Sequence, residues 1–454
     1  MMKKVLVVLV LLAMVCVSSL AFAADVTVDG AVGIRSRDFT FLSLDKDNPT
    51  KNVADTQQRI IINVNAKSGD VKGKISIWDD YDTWGGANGG FEHSQGTPAG
   101  GNGTSGVTAV GSTAIGIREA WVLFPLADTG IFVKGGHQLL QLGNGMFFRS
   151  QHYGSDAWVA YRDDGANHLG FVDVKVSEGR SVVATTNSAG TTTATSPATA
   201  NSDDVDAYVV IDTYKINEDT KVGVDLTFAK DRKNVMGFAG GANPTDAQNL
   251  GLNYAGKVGP VKLKAQLDVQ SGKAKLANLD GTGQDAKFKG NNLYIRGDVP
   301  AETIAVNFTI GRGSGPKAGQ VDYNQFVTFL DIDPHYTFLY EYKVPGACGK
   351  TNQGFCNTTA ANIGAKVSAT KNLTIGVDVW LLQSTEKVAD KKALRDDPTS
   401  TATTNALGTE LDLAIGWKLA DTLSWNWNVG MLTPGAGLGY DSATGVQGIL
   451  SYTF

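Results

Sequence analysis

VKLKAQLDVQ, residues 261–270, changes polarity at every step: Val261, Leu263, Ala265, Leu267 and Val269 point one way, and Lys262, Lys264, Gln266, Asp268 and Gln270 the other. A period of two is the signature of a strand with one apolar and one polar face. The same pattern returns in KVGVDLTF at 221–228, TIAVNFTI at 303–310, NLTIGVDV at 372–379 and ELDLAIGWKL at 410–419. A water-soluble sandwich would show this alternation too, with the apolar face turned inward. Strand length and connection must therefore separate the two architectures.

Strands that cross a membrane need about 9–11 residues, and bacterial barrels join them by short turns on one side and long loops on the other. Working outward from 261–270, the chain divides into about twenty such segments. Short connections fall near 68–70, 125–128, 164–166, 215–219, 259–260, 300–302, 332–334, 370–371 and 420–422. Long ones fall at 37–55, 83–112, 143–154, 179–202, 232–246, 273–288, 313–323, 344–359, 384–407 and 433–444. The two kinds take strict turns, as an up-and-down barrel requires. The expected fold is all-β: a transmembrane antiparallel up-and-down β-barrel of 16–20 strands with a direct count of 20. The segments near 155–163 and 324–343 carry the weakest alternation. At this width side chains cannot fill the interior, and water enters.

The long connections have matching compositions. GGANGG and GTPAGGNGTSG within 85–106, TTNSAGTTTATSPATANS at 185–202 and DDPTSTATT at 396–404 are small, polar and of low complexity, unable to build a core. They read as solvated external loops. Aromatics gather near strand ends: Trp417, Trp425 and Trp427 beside one short turn, and Trp78, Tyr81 and Trp84 at an outer end. They read as the two interfacial girdles of a barrel. Trp380 falls on the polar face with Thr374, Gly376 and Asp378, where a sugar-stacking platform is an alternative.

The amino terminus reads as an export signal. Lys3 and Lys4 precede the apolar run 5–17, and Ala21-Phe22-Ala23 supplies a small-x-small cleavage site. Cleavage after Ala23 would leave residues 24–454 as a single barrel domain. Losing Lys3 and Lys4 lowers the basic residues from 40 to 38 against 45 acidic ones, a net charge of −7. That balance argues against a nucleic-acid partner, which needs a basic footprint. Cys348 and Cys356, both in GACGKTNQGFCN, survive in the mature chain and are expected to staple one loop in an oxidising envelope. No histidine or second cysteine pair sits beside them, so no metal site and no cofactor is expected. The mature histidines, His93, His137, His152, His168 and His335, fall in no G-x-S-x-G or H-E-x-x-H setting, and no enzyme is expected.

The carboxyl terminus, GVQGILSYTF, places Val446, Gly448, Leu450, Tyr452 and Phe454 on one strand face. Its terminal Phe454, with Tyr452 two places before, resembles the sorting signal read by the outer-membrane barrel-assembly machinery; Gly448 stands one place off the usual glycine. By architecture the mature chain resembles Gram-negative outer-membrane porins. IREAWVLFPLADTGIFVKGGHQLLQLGNG, residues 117–145, is similar to a hairpin recurring in proteobacterial porin-like families. There is a fainter resemblance to porin-like proteins of metal-reducing bacteria.

The resemblance implies a water-filled channel for passive diffusion of small hydrophilic solutes and ions, set in outer-membrane lipid and lipopolysaccharide. A homotrimer is implied by analogy alone. It also implies that the third external loop, GNGMFFRSQHYG at 143–154, folds into the lumen, with Phe147 and Phe148 pinning it to the wall and Arg149 and His152 facing the passage. Arg118 and Arg162 on adjoining strands, and Lys262, Lys264 and Asp268 farther round, are the candidate lumen residues. Two alternatives remain: a sugar- or organic-anion-selective channel, and a barrel sheathing a multihaem cytochrome.

Overall fold

In the computed structural model, the described residues are 25–45, 52–84, 116–177, 183–186, 192–195, 204–232, 245–275, 285–329, 336–351 and 353–454. The proposed signal at 1–23, the low-complexity loop at 85–106, part of that at 185–202, and His93 and His335 lie outside them.

Eighteen strands form one closed antiparallel barrel. In chain order they are β1 (Asp25–Thr40), β2 (Val53–Ser68), β3 (Val71–Thr83), β4 (Gly116–Pro125), β5 (Ile131–Gln141) and β6 (Arg149–Asp163). Then come β7 (Asn167–Ser177), β8 (Val205–Asn217), β9 (Thr220–Asp231), β10 (Thr245–Val258), β11 (Val261–Lys275) and β12 (Asn291–Val299). The last six are β13 (Ile304–Gly313), β14 (Thr358–Thr370), β15 (Leu373–Ala389), β16 (Thr403–Ala420), β17 (Leu423–Pro434) and β18 (Ala443–Thr453). Each pairs with its sequence neighbours, and β18 closes on β1 from Ala31↔Thr453 to Thr40↔Thr444. Closure leaves no edge, so every strand meets its backbone hydrogen-bonding need within the sheet, the condition for a sheet in hydrocarbon. A three-residue strand, Asp285–Lys287, extends the ladder beside β11, and Val183–Thr186 pairs with Thr192–Thr195 as a separate hairpin.

The count is two below the twenty read from the alternation. All the difference lies in 324–343, expected as two strands about a turn at 332–334. The described residues there form no barrel strand, the turn expected at 332–334 lies outside them, and β13 pairs directly with β14. Its aromatic and β-branched residues do have a strand-like composition, but they pack against the inner wall. Phe326, Phe329, Leu339 and Tyr340 are all 2% exposed or less. The other weak segment, 155–163, does form a strand, the lower part of β6.

Burial runs opposite to that of a soluble protein. On β9, Val222, Val224, Leu226 and Phe228 are exposed, while Asp225 and Thr227 between them are buried. On β11, Leu267 and Val269 are exposed and Gln266, Asp268 and Gln270 buried. An apolar exterior costs free energy in water and none in lipid, so this inversion marks a membrane barrel. Trp417 and Trp425, paired in register beside the short turn at 421–422, lie on that exterior and suit an interfacial girdle.

Candidate functional site

Two external connections fold inward and meet in the lumen. The third is shorter than expected, 142–148, because β6 begins already at Arg149. It crosses to the opposite wall: the Asn144 backbone N–H donates to Gln266 Oε1 (2.6 Å) and its side-chain amide to the Ala265 carbonyl (2.9 Å). Those residues sit on β11, six strands round from β5, so the loop must span the interior to reach them. Phe147 and Phe148 are buried and stack on Phe329 of the seventh connection, with ring centroids 6.1 and 5.7 Å away. The Phe329 N–H also donates to the Phe147 carbonyl (2.8 Å). These rings pack on the inward apolar side chains Ala157, Val172, Val174, Ala207 and Val209 of β6–β8.

The seventh connection is held at several points. Gln270 of β11 treats Val327 as a strand partner would, donating to its carbonyl (2.6 Å) and accepting its N–H (3.0 Å). Glu410, projecting inward from β16, accepts three consecutive backbone N–H groups, those of Phe338 (2.8 Å), Leu339 (2.6 Å) and Tyr340 (2.8 Å). Cys348 and Cys356 form a disulfide across the same loop, Cα–Cα 5.9 Å. Phe355 next to it occupies the space over Gly311, where a Cβ would stand 2.1 Å from its ring; the strand can carry only glycine there. The Tyr340 hydroxyl shares a hydrogen bond with Thr358 (2.7 Å) and accepts the Ala347 N–H (3.1 Å). Burial pushes the hydroxyls of Tyr336 and Tyr340 well above the ordinary phenol value. Trp380 is 3% exposed and packs on Tyr336, with centroids 5.5 Å apart. It anchors this loop and offers no open face to a sugar.

Facing these loops, the wall from β1 to β6 carries Arg35, Arg37, Arg59 and Arg118. Arg37, Arg35 and Arg59 fall in successive rows of the β1–β2 ladder, since Asp55 pairs with Arg37, Gln57 with Arg35 and Arg59 with Gly33. Rows on one strand face are roughly 6–7 Å apart. Arg37 is bidentate to Asp55 (2.6 and 2.8 Å), and Arg35 donates to buried Gln57. Lower down, the indole of Trp78 has Arg59 (5.5 Å) and Arg118 (5.7 Å) against its ring and His152 edge-on at 5.1 Å. Asp80 accepts from both Arg59 (2.8 Å) and His152 (2.9 Å). Arg118 donates to the Gln151 carbonyl (2.8 Å). Trp78, read in the sequence as part of a girdle, is thus a buried lumen residue. Trp84 is exposed at the outer end of that strand.

Of the residues singled out in the sequence, Arg118 and His152 come together here. Arg149 opens β6 opposite Gln141, at the root of the third loop. Arg162 does not join them. It pairs with Leu169 on the face that carries exposed Trp158 and Phe171, so it points away from the lumen, near the short turn at 164–166. Side-chain alternation gives the face but not which face is inner, and an arginine at an interface satisfies the same pattern. Lys262 and Lys264 are exposed on the inward side of β11, toward its short-turn end. Asp268 on the same face is buried, held by Asn249 (3.1 Å), Gln266 (3.0 Å) and Asn292 (3.2 Å). Arg35, Arg37, Arg59, Asp80 and Glu410 were not singled out. Glu410 stood in plain view on the polar face of ELDLAIGWKL, but nothing local shows which acid meets a loop 70 residues away.

This is the architecture of a bacterial outer-membrane β-barrel of the porin type. No protein-family model matches the chain, and no curated protein matches it. Solved structures do share its fold. The outer membrane protein OpdK of Pseudomonas aeruginosa superposes with a TM-score of 0.55 at 11% identity, covering 95% of this chain and 98% of that one. A BenF-like porin from Pseudomonas fluorescens Pf-5 gives 0.56 at 12% identity over 95% and 98%. Acinetobacter baumannii OccAB2 gives 0.55 at 10% identity over the same shares. At such identities the likeness establishes the fold. The chain accordingly shares the multi-pass fold of outer-membrane β-barrels, with an apolar exterior suited to lipid.

Proposed function

We propose that the protein is a passive channel for small hydrophilic solutes, with a preference for organic anions. One observation carries the reading: Arg37, Arg35, Arg59 and Arg118 are grouped along a single wall of the lumen, opposite two in-folded loops. Arg37 is paired with Asp55 and Arg59 with Asp80, so it is the surplus of guanidinium over carboxylate groups on this wall that biases ions by direct electrostatics. The fold neighbour OpdK has been solved with vanillate, a monocarboxylate, which is consistent with this class of cargo. The aperture proposed is the gap between this wall and the third loop, bordered by Arg118, Arg149 and His152, with Lys262 and Lys264 continuing the basic lining at the opposite, short-turn end. A lumen crossed by the chain's own loops favours small solutes over a sheath around a cytochrome.

Reversal potentials across a salt gradient test the preference. The wild type is expected to select anions, and Arg59→Gln with Arg118→Gln to move the potential toward cations. A cation-selective wild type, or variants with an unchanged potential, would remove the basis for the proposal.

A further inference from the structure

Four buried oxygen atoms in the wall of β9 and β10 have no hydrogen-bond partner: both carboxylate oxygens of Asp225, Thr227 Oγ1 and Asn249 Oδ1. All three side chains are 2% exposed or less. Orphaned acceptors at such depth are rare in native proteins, and several together call for a missing partner. They lie on neighbouring inward positions, since Thr227 pairs with Asn249 and Asp225 follows two residues along on the same face. Asn249 donates its Nδ2 to Asp268 on β11, so its Oδ1 is turned the other way, to the β9 side where Asp225 and Thr227 stand.

Between Asp225 on β9 and Asp268 on β11, the register places Gly251. Asp225 lies over that glycine, and a Cβ there would stand 2.4 Å from its Oδ2. Two carboxylates therefore stand in one row of the wall, on either side of a residue with no side chain. Among the described residues no lysine or arginine is paired with Asp225 or Asp268. Both buried charges need compensation, by protonation or by a cation. The row is also closed above and below. Gln270 of β11, the register partner of Asn249, holds Val327 of the seventh loop on one side, and Gly143 of the third loop lies against Gln266 and Asn253 on the other.

We propose that Asp225, Thr227 and Asn249 form a buried calcium site in the barrel wall, with Asp268 supplying the second negative charge across Gly251. The donors are hard oxygens of a carboxylate, an amide and a hydroxyl, which suit calcium; magnesium demands a stricter octahedron and keeps its water. Among the described residues no group of three or more His, Cys, Asp or Glu side chains is arranged for a metal, so this site depends on neutral oxygens to complete it. It also connects to the aperture. Asn249 and Gln266 both donate to Asp268, and Gln266 accepts the Asn144 N–H, so an ion here steadies the wall on which the third loop rests.

The test uses full-length protein refolded into detergent free of lipopolysaccharide, which itself binds calcium. After treatment with a chelator, equilibrium dialysis against radioactive calcium should show one ion per barrel, with a dissociation constant on the order of 10⁻⁴–10⁻³ M or tighter. Asp225→Asn, which keeps the size and removes the charge, should weaken binding about tenfold or more. Asp322→Asn in an external loop should leave it unchanged. If Asp225→Asn does not refold, Thr227→Val, a near-isostere lacking the hydroxyl, decides in its place and should also bind more weakly. No saturable calcium in the wild type, or the same affinity in the refolded site variant, overturns the proposal.

Discussion

Replacing Glu410, itself 1% exposed, by alanine removes the acceptor of three adjacent backbone N–H groups at 2.6–2.8 Å. Hydrogen bonds to a charged partner contribute about 1.5–3 kcal/mol each, and a donor left buried without an acceptor costs a similar amount. The three share one acceptor and are not additive, and deleting a buried carboxylate also removes its own desolvation cost. A net loss of roughly 4 kcal/mol for the docked loop remains, equivalent to a thousandfold shift in its local opening equilibrium. Glu410→Gln retains one acceptor but turns an amide N–H toward a donor, and should fall between wild type and alanine. Hydrogen exchange reads this directly: the amides of Phe338, Leu339 and Tyr340 should lose about three orders of magnitude of protection, while those of the strands keep theirs. Conductance of the alanine variant should become larger and noisier as the loop leaves the lumen. Unchanged protection at 338–340 would refute the reasoning, because Glu410 is the acceptor that all three groups share.

Phe148→Ala deletes a ring that joins the third and seventh loops, at a cost of about 3–5 kcal/mol, and should raise single-channel conductance with the barrel still intact by its resistance to heat in detergent. Reducing Cys348–Cys356, or replacing both by serine, should destabilise the seventh loop by about 2 kcal/mol, seen as faster proteolytic nicking within 344–357. Arg162→Ala should leave ion selectivity unchanged, since its side chain points outward, whereas Arg118→Ala should shift it. Burial raises the proton affinity of Tyr336 and Tyr340, so the opened loop loses its phenolic protons first as pH rises. The docking of the loop should therefore be whole below pH about 10 and weaken above it, which tyrosinate absorbance and amide exchange at alkaline pH can follow.

The barrel was legible because two periodicities, of side chains and of connections, are both written locally. Val222 to Phe228 and Val261 to Gln270 show the wall in a few residues each, and eight of the nine short turns read from the sequence are turns in the structure. The ninth, at 332–334, came from FVTFLDIDPHYTFLYEY, where β-branched and aromatic residues look the same whether they face lipid or fill a lumen. Only the long-range partners of Phe329 and Tyr340 tell those apart. The third loop announced its anchors in Phe147 and Phe148. The basic wall did not: Arg35, Arg37 and Arg59 stand on separate strands with nothing between them in sequence to show that their rows align. For Arg162 the alternation gave the face without saying which side of the wall was water.

Single-channel recording from purified, refolded protein in a planar bilayer bears most directly on the central claim, that a polar lumen narrowed by two loops conducts. Discrete, ohmic conductance steps are predicted, becoming larger in Glu410→Ala. A correctly folded barrel that inserts into the bilayer and passes no current, in wild type and variant alike, would contradict it.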